Sequence, residues 1–167
     1  SLLEVPYYIK DNQNLMPSKE KIEEEISLGI KRELTFCLED FSLFPEYEIA
    51  KGKMSPPEVV IEPERVLVNV NYPLTIKKGE SSSKIEKFNS EIPVRLGIVY
   101  DAVAEFIGKE LESKTEGVCV DCLVLALEDL KSNIFWEDDK TAIFIVRDFN
   151  SIIENKEFVF NFAGKNS

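Results

Sequence analysis

A chain of 167 residues, 44% apolar and 31% charged, can bury a proper core without disulfide staples and has the composition of an ordinary globular domain. Its net charge of −11, with no basic cluster denser than Lys77-Lys78, repels a nucleic-acid backbone, so no nucleic-acid partner is expected. The lack of any histidine removes the commonest general acid/base, the commonest triad base and the commonest metal ligand together.

Residues 1–17, SLLEVPYYIKDNQNLMP, read as an extended lead-in. Pro6, Asp11, Asn12, Asn14 and Pro17 break any periodicity there, yet Leu2, Leu3, Val5, Tyr7, Tyr8 and Ile9 are too apolar for a free tail. The segment is expected either to pack on the body or to come from a neighbouring piece outside this sequence. Residues 18–167 are expected to form a single α+β domain. Ser18 suits a helix N-cap, followed by acidic residues near the positive end of the helix dipole. Ile22, Ile26, Ile30, Leu34, Cys37, Leu38 and Phe41 then recur every three or four residues, predicting a helix over 18–42 that ends before Pro45.

Short strands are predicted at 47–51 and 58–62, with a hairpin through Pro63 and Glu64 into RVLVNVNYPLTIK, residues 65–77. In that stretch Val66, Val68, Val70, Tyr72, Leu74 and Ile76 share one parity, which makes a strand with one apolar and one wet face. Asn69 and Asn71 point to the wet side as candidate binding residues, and Pro73 marks an edge or a bulge. KKGESSSK reads as a polar, mobile loop. Another strand is predicted at 84–92, and an amphipathic helix at 93–113 on Leu96, Val99, Val103, Phe106, Ile107 and Leu111, with SKTEG (113–117) as a link.

VCVDCLVLALEDLK (118–131) predicts a third helix, apolar on nearly every side in its first half and therefore well buried. Trp136 falls at its end, as a packing or contact residue. Ala142–Val146 suits an inner strand, 148–151 a loop, and 157–163 a strand with Phe158, Phe160 and Phe162 on one face. Helix, strands, two helices, strands is no βα repeat. It predicts an α+β fold: an antiparallel or mixed sheet of about five to six strands, with three helices packed largely on one face.

The sharpest chemical feature is the cysteine set, Cys37, Cys119 and Cys122. Burial as small hydrophobes or a structural disulfide, most simply Cys37 to one of the pair, is the favoured reading. The competing one is thiol–disulfide exchange, with Cys119 as nucleophile and Cys122 as resolving thiol at a helix start. Against it, no buried strand precedes the motif and no tryptophan flanks it. Three thiolates with Asp121 would make a zinc site, but no second CxxC or histidine pair supports one.

Glu137, Asp138 and Asp139, followed by Asp148 and Asn150, offer oxygen ligands to calcium without the glycine and later glutamate of an EF-hand loop. If calcium binds, Asp138, Asp139 and Asp148 are the expected ligands. No carboxylate pair is singled out for glycoside chemistry. Phosphate-cradling glycine loops, GxSxG and HExxH are absent, so no cofactor is implied.

PYYIKDNQNLMPS before a charged helix ending TFCLEDF, then VNVNYPLTI, EIPVRL, CVDC, IVRDFNS and FVFNFAG, resembles a group of uncharacterised membrane-anchored proteins of small-genome archaea. The resemblance spans most of the chain in short stretches and implies location and class only. In that group a hydrophobic segment precedes an extracytoplasmic region. No apolar run in this chain is long enough to span a bilayer, so any membrane contact is expected through an upstream anchor. The resulting expectation is a non-enzymatic extracytoplasmic or cell-surface domain that binds a protein or assembles in a cell envelope. The alternatives are the thiol oxidoreductase, a calcium- or small-ligand-binding domain, and a cytoplasmic location.

Overall fold

The computed structural model describes residues 5–38, 41–113 and 117–165. In chain order the elements are β1 (Tyr7–Lys10), β2 (Gln13–Asn14), α1 (Lys19–Cys37), β3 (Glu48–Lys51), β4 (Glu58–Ile61), β5 (Val66–Lys78), β6 (Ser81–Ile92), α2 (Leu96–Glu112), α3 (Val120–Ala126), β7 (Lys131–Trp136), β8 (Thr141–Ile153) and β9 (Lys156–Lys165). The fold is α+β, with three helices, a mixed five-stranded sheet and an antiparallel four-stranded sheet among the described residues. The chain packs as two compact units, one on each sheet.

The first unit comprises the N-terminal stretch to Ser18, the Glu62–Arg65 link and the residues from Pro93 onward. Its sheet runs β2-β1-β9-β8-β7, with β1 parallel to β9 and the other neighbours antiparallel. The lead-in is therefore part of the sheet. Tyr8 and Ile9 are buried, and Tyr8 stacks on Phe162 with ring centroids 5.4 Å apart. Asp11 and Asn12 form the two-residue turn between β1 and β2, at φ of 49° and 59°. Asp and Asn tolerate that left-handed region better than most side chains. Leu2 and Leu3 lie outside the described residues.

The helical spacing of Leu96, Val99, Val103, Phe106 and Ile107 becomes the buried face of α2. Phe106 meets Phe144 at 5.2 Å and Phe162 at 6.2 Å, and Phe144 stacks on Phe162 at 4.7 Å. These three rings are fully buried, each contributing roughly 1.5–3 kcal/mol by burial. Beta strand alternation supplies their partners: Ala142, Phe144 and Val146 point into the core from β8, which lies between β9 and β7.

Three expectations for this unit need correction. The third helix is only Val120–Ala126, with Leu123 and Leu127 buried while Val124 and Leu125 stay 64% and 67% exposed. Positions four apart give a short helix one inward line, and Lys131 already belongs to β7. Trp136 consequently ends a strand rather than a helix, opposite Ala142 and 53% exposed. The stretch 148–151 is a bulge inside β8 instead of a loop, because the pairing with β9 shifts register between Asp148 and Ile152. Positions 114–116 of the expected SKTEG link lie outside the described residues.

The second unit comprises Lys19–Ile61 and Val66–Ile92. β5, the strand of alternating valines, is its centre: β6 pairs along one side, while β4 and β3 share the other. Val66, Val68, Tyr72 and Leu74 are buried, and Asn69 and Asn71 are exposed, as the alternation requires. Pro73 falls at a register shift between Asn71 and Leu74, where its missing N–H breaks no regular ladder.

The serines of KKGESSSK are strand rather than loop. Lys78 pairs with Ser81, which leaves Gly79 and Glu80 as a two-residue turn with Gly79 at φ 57°. α1 lies against β4, where Ser27 Oγ donates to Pro57 O at 2.5 Å and Glu23 Oε1 accepts from Ile61 N at 2.7 Å. The helix ends at Cys37, short of the expected 42, with 39 and 40 outside the described residues.

Candidate functional site

α1 carries a second face besides its isoleucine stripe. At 100° per residue, Ile22, Ile26, Ile30 and Leu34 group on one side, and Leu28, Arg32, Thr35 and Phe36 on the other. The isoleucines are half-buried, whereas Leu28 is 62% and Phe36 77% exposed. Beside this second face runs an open groove of about 810 Å³, whose other lining residues include Lys51, Gly52, Lys53, Met54 and Tyr72.

Gly52 keeps the groove's strand side close to β5. Its N–H donates to Pro73 O at 2.7 Å, and a Cβ there would approach Pro73 O to 3.2 Å. Lys31, Arg32, Lys51 and Lys53 line the groove, while the described lining holds no Asp or Glu. That is a local reversal of the sign of a chain with net charge −11. The Lys51 ammonium sits 5.8 Å from the Phe41 ring centroid and 3.4 Å from Leu38 O. Sequence reading missed the groove, although large apolar residues off the core stripe, Leu28 and Phe36, were its signal.

Asn69 and Asn71 share a polar depression of about 420 Å³ with Glu58, Lys87 and Asn89. Asn69 faces Glu58 on β4 and Asn89 on β6, and its Nδ2 lies 3.4 Å from Glu58 Oε2. The third candidate binding residue, Trp136, belongs to the first unit and joins neither cavity of the second.

In the first unit Cys119 and Cys122 form a disulfide, their Cα atoms 5.2 Å apart. The expected bridge from Cys37 is not made: Cys37 is an exposed free thiol at the end of α1. The CxxC spacing at a helix start favours the short bridge, since Cys119 is the N-cap of α3 and Cys122 N donates to its sulfur at 3.3 Å. Glu110 of α2 reaches the same turn, its Oε2 accepting from Cys119 N at 2.8 Å. Burial pushes the Glu110 carboxyl above its ordinary value, against the lowering effect of that hydrogen bond.

The carboxylates considered for calcium are not brought together. Asp138 Oδ1 accepts from Lys140 N and Thr141 N at 2.8 and 2.6 Å, and the Lys140 contact leads in holding its carboxyl below the ordinary value. Asp148 lies seven residues along β8 from Thr141, roughly 23 Å at strand rise. It is buried against Arg95 and Ser151. Among the described residues no group of three His, Cys, Asp or Glu is placed to hold a metal, and no helix is long and apolar enough to cross a membrane.

No protein-family model, curated protein or solved structure matches this chain.

Proposed function

We propose that this chain is a non-enzymatic extracytoplasmic domain that binds a protein partner along the groove of its second unit. The observation that carries this reading is the exposed Leu28–Phe36 face of α1 beside a lining of four cations. Large exposed apolar side chains next to charges opposite to the bulk charge are the makings of an interaction surface. A photo-crosslinking residue placed at Phe36 in the full-length protein, in its own cells, should give a discrete protein adduct. The same residue at Ile85 on β6 should not. Equal labelling from both positions, or none, sinks the reading.

The extracytoplasmic part draws support from the Cys119–Cys122 disulfide, since such bonds persist mainly in oxidising compartments. Alkylation of natively isolated protein under non-reducing conditions should modify Cys37 alone, with the other two thiols appearing after reduction. Three free thiols would count against it.

A second reading, thiol–disulfide exchange, is favoured by Glu110. A half-buried acid with a raised pKa beside a disulfide can pass a proton to and from the departing sulfur. Its test is the pKa of Cys119 in the reduced protein. A value at or above the ordinary thiol value, about 8.5, removes this reading.

A further inference from the structure

We propose that the occupant of the groove is an acidic amphipathic helix, and this rests on the protein-binding reading above. Three properties of the groove select that chemistry.

The first is charge. Lys31, Arg32, Lys51 and Lys53 surround it, and no carboxylate is among its described lining residues. Glu33, which sits 3.1 Å from Arg32 Nε, is exposed and does not line the groove. In a chain carrying 31 acidic and 20 basic residues, four cations among the described lining residues steer an acidic partner and disfavour a basic one.

The second is the apolar surface between those charges. Leu28 and Phe36 project from α1 with most of their surface in water, and Met54 and Tyr72 line the other side. A ligand that only neutralised the lysines would leave this surface wet. An amphipathic partner covers it and meets the cations with the acids flanking its apolar stripe.

The third is size. From Leu28 on α1 to Leu38, just past its end, this side of the groove spans ten residue steps, roughly 15 Å at 1.5 Å per step. That matches nearly three turns of a partner helix, enough for anchors at positions i, i+4 and i+7. A concavity of about 810 Å³ receives a convex rod better than a flat membrane surface.

The test uses the whole chain and three designed helical peptides of roughly 16 residues, long enough to hold some helix alone. One has a leucine stripe flanked by glutamates, one has glutamine for every glutamate, and one scrambles the first. Binding is read by fluorescence anisotropy at about 50 and about 300 mM salt. Vesicles of phosphatidylglycerol form a separate arm.

The acidic peptide should bind, and lose about tenfold in affinity at the higher salt. The Lys31→Glu/Lys53→Glu variant should lose as much, with an unchanged circular-dichroism spectrum and melting temperature, while Lys84→Glu on β6 should bind normally. Equal binding of the glutamine peptide overturns the acidic partner but leaves a helix-binding groove standing. Equal binding of the scrambled peptide overturns the helix. If no peptide binds, the proposal fails while the adduct at Phe36 still judges the protein-binding reading by itself. Binding only to vesicles, lost in the double variant, replaces the helix with a membrane.

Discussion

Arg95 holds Asp148 in a two-point grip, Nε donating to Oδ2 at 3.0 Å and Nη2 to Oδ1 at 2.8 Å, with the Asp148 side chain fully buried. Ser151 closes the arrangement: its hydroxyl donates to Asp148 Oδ2 at 2.5 Å and accepts from Arg95 N at 2.8 Å. Asn150 N adds a bond to Oδ1 at 3.1 Å. The residue just before α2 is thereby tied to the bulge of β8, through the carboxylate that from sequence looked like a calcium ligand.

Removing one partner of such a pair leaves an uncompensated charge, so Asp148→Ala should cost about 3–5 kcal/mol. Replacing both, as Arg95→Met with Asp148→Leu, should cost clearly less. Urea unfolding of the two variants checks this, and equal losses would contradict it. The pH dependence follows from the carboxyl. Burial alone would raise its pKa, but the Arg95, Ser151 and Asn150 hydrogen bonds outweigh burial and hold it below the ordinary value. A depressed folded pKa gives stability that is full above the unfolded value, roughly 3.9, and lost as pH falls through the folded one. Asp148→Asn should therefore flatten the acid limb of the stability curve.

Glu110 has the opposite sign. Its carboxyl is raised, chiefly by burial, so the folded state holds its proton more tightly than the unfolded chain. That contribution is full below the unfolded value, roughly 4.3, and lost as pH rises through the folded one. Glu110→Gln keeps an acceptor for Cys119 N and has no charge to bury. It should match or exceed the parent in stability at pH 7 and lose its relative advantage on acidification to about pH 4. Chemical denaturation across that range measures the difference. A variant less stable than the parent at pH 7 would mean that the carboxylate's hydrogen bond outweighs its burial.

Two glycines of α2 should respond in opposite directions to the same substitution. A Cβ at Gly97 would lie 2.5 Å from Glu62 O and 2.9 Å from Pro63 Cα, both backbone atoms that cannot swing aside. Gly108 has nothing within 4 Å of its Cβ position. Gly108→Ala should gain up to about 1 kcal/mol from helix propensity. Gly97→Ala should lose about 1–3 kcal/mol, because the displaced backbone overrides that gain. Thermal melts of the pair decide it, and a stabilised Gly97→Ala would show that the 62–63 backbone moves freely.

Periodicity made the long elements legible. The alternation in β5, the three-and-four spacing in α1 and α2, and the alternating phenylalanines of β9 each report one face that is buried or half-buried, and burial is what sequence patterning encodes best. Features set by long-range pairing stayed hidden. Lys131–Trp136 has little alternation of its own and is strand because β8 lies beside it. Ser81–Ser83 became strand through the ladder to Ile76, Lys77 and Lys78, which no side chain of the serines announces. Asp148 resembled a solvated loop acid because its partner, Arg95, is 53 residues away. The groove was hidden for a related reason. Leu28 and Phe36 interrupt the amphipathic pattern of α1, and a reading that seeks one stripe discards residues that fall off it.

The turn between β8 and β9 is a place where the sequence departs from what its backbone prefers. Ile153 pairs with Lys156, leaving Glu154 and Asn155 at φ of 50° and 64°. Two consecutive left-handed residues fit the twist of a two-residue hairpin, and Asn is well suited to the region. Glutamate is less so, since its Cβ crowds the following carbonyl and its side chain offers no local compensation. Glu154→Asn should therefore stabilise the first unit by about 0.5–1 kcal/mol. Glu154→Gly should gain less, because glycine relieves the same crowding but loosens the unfolded chain. Comparing urea midpoints for the two variants ranks these effects. If Glu154→Asn melts at or below the parent, the glutamate is held in that turn by something other than its backbone.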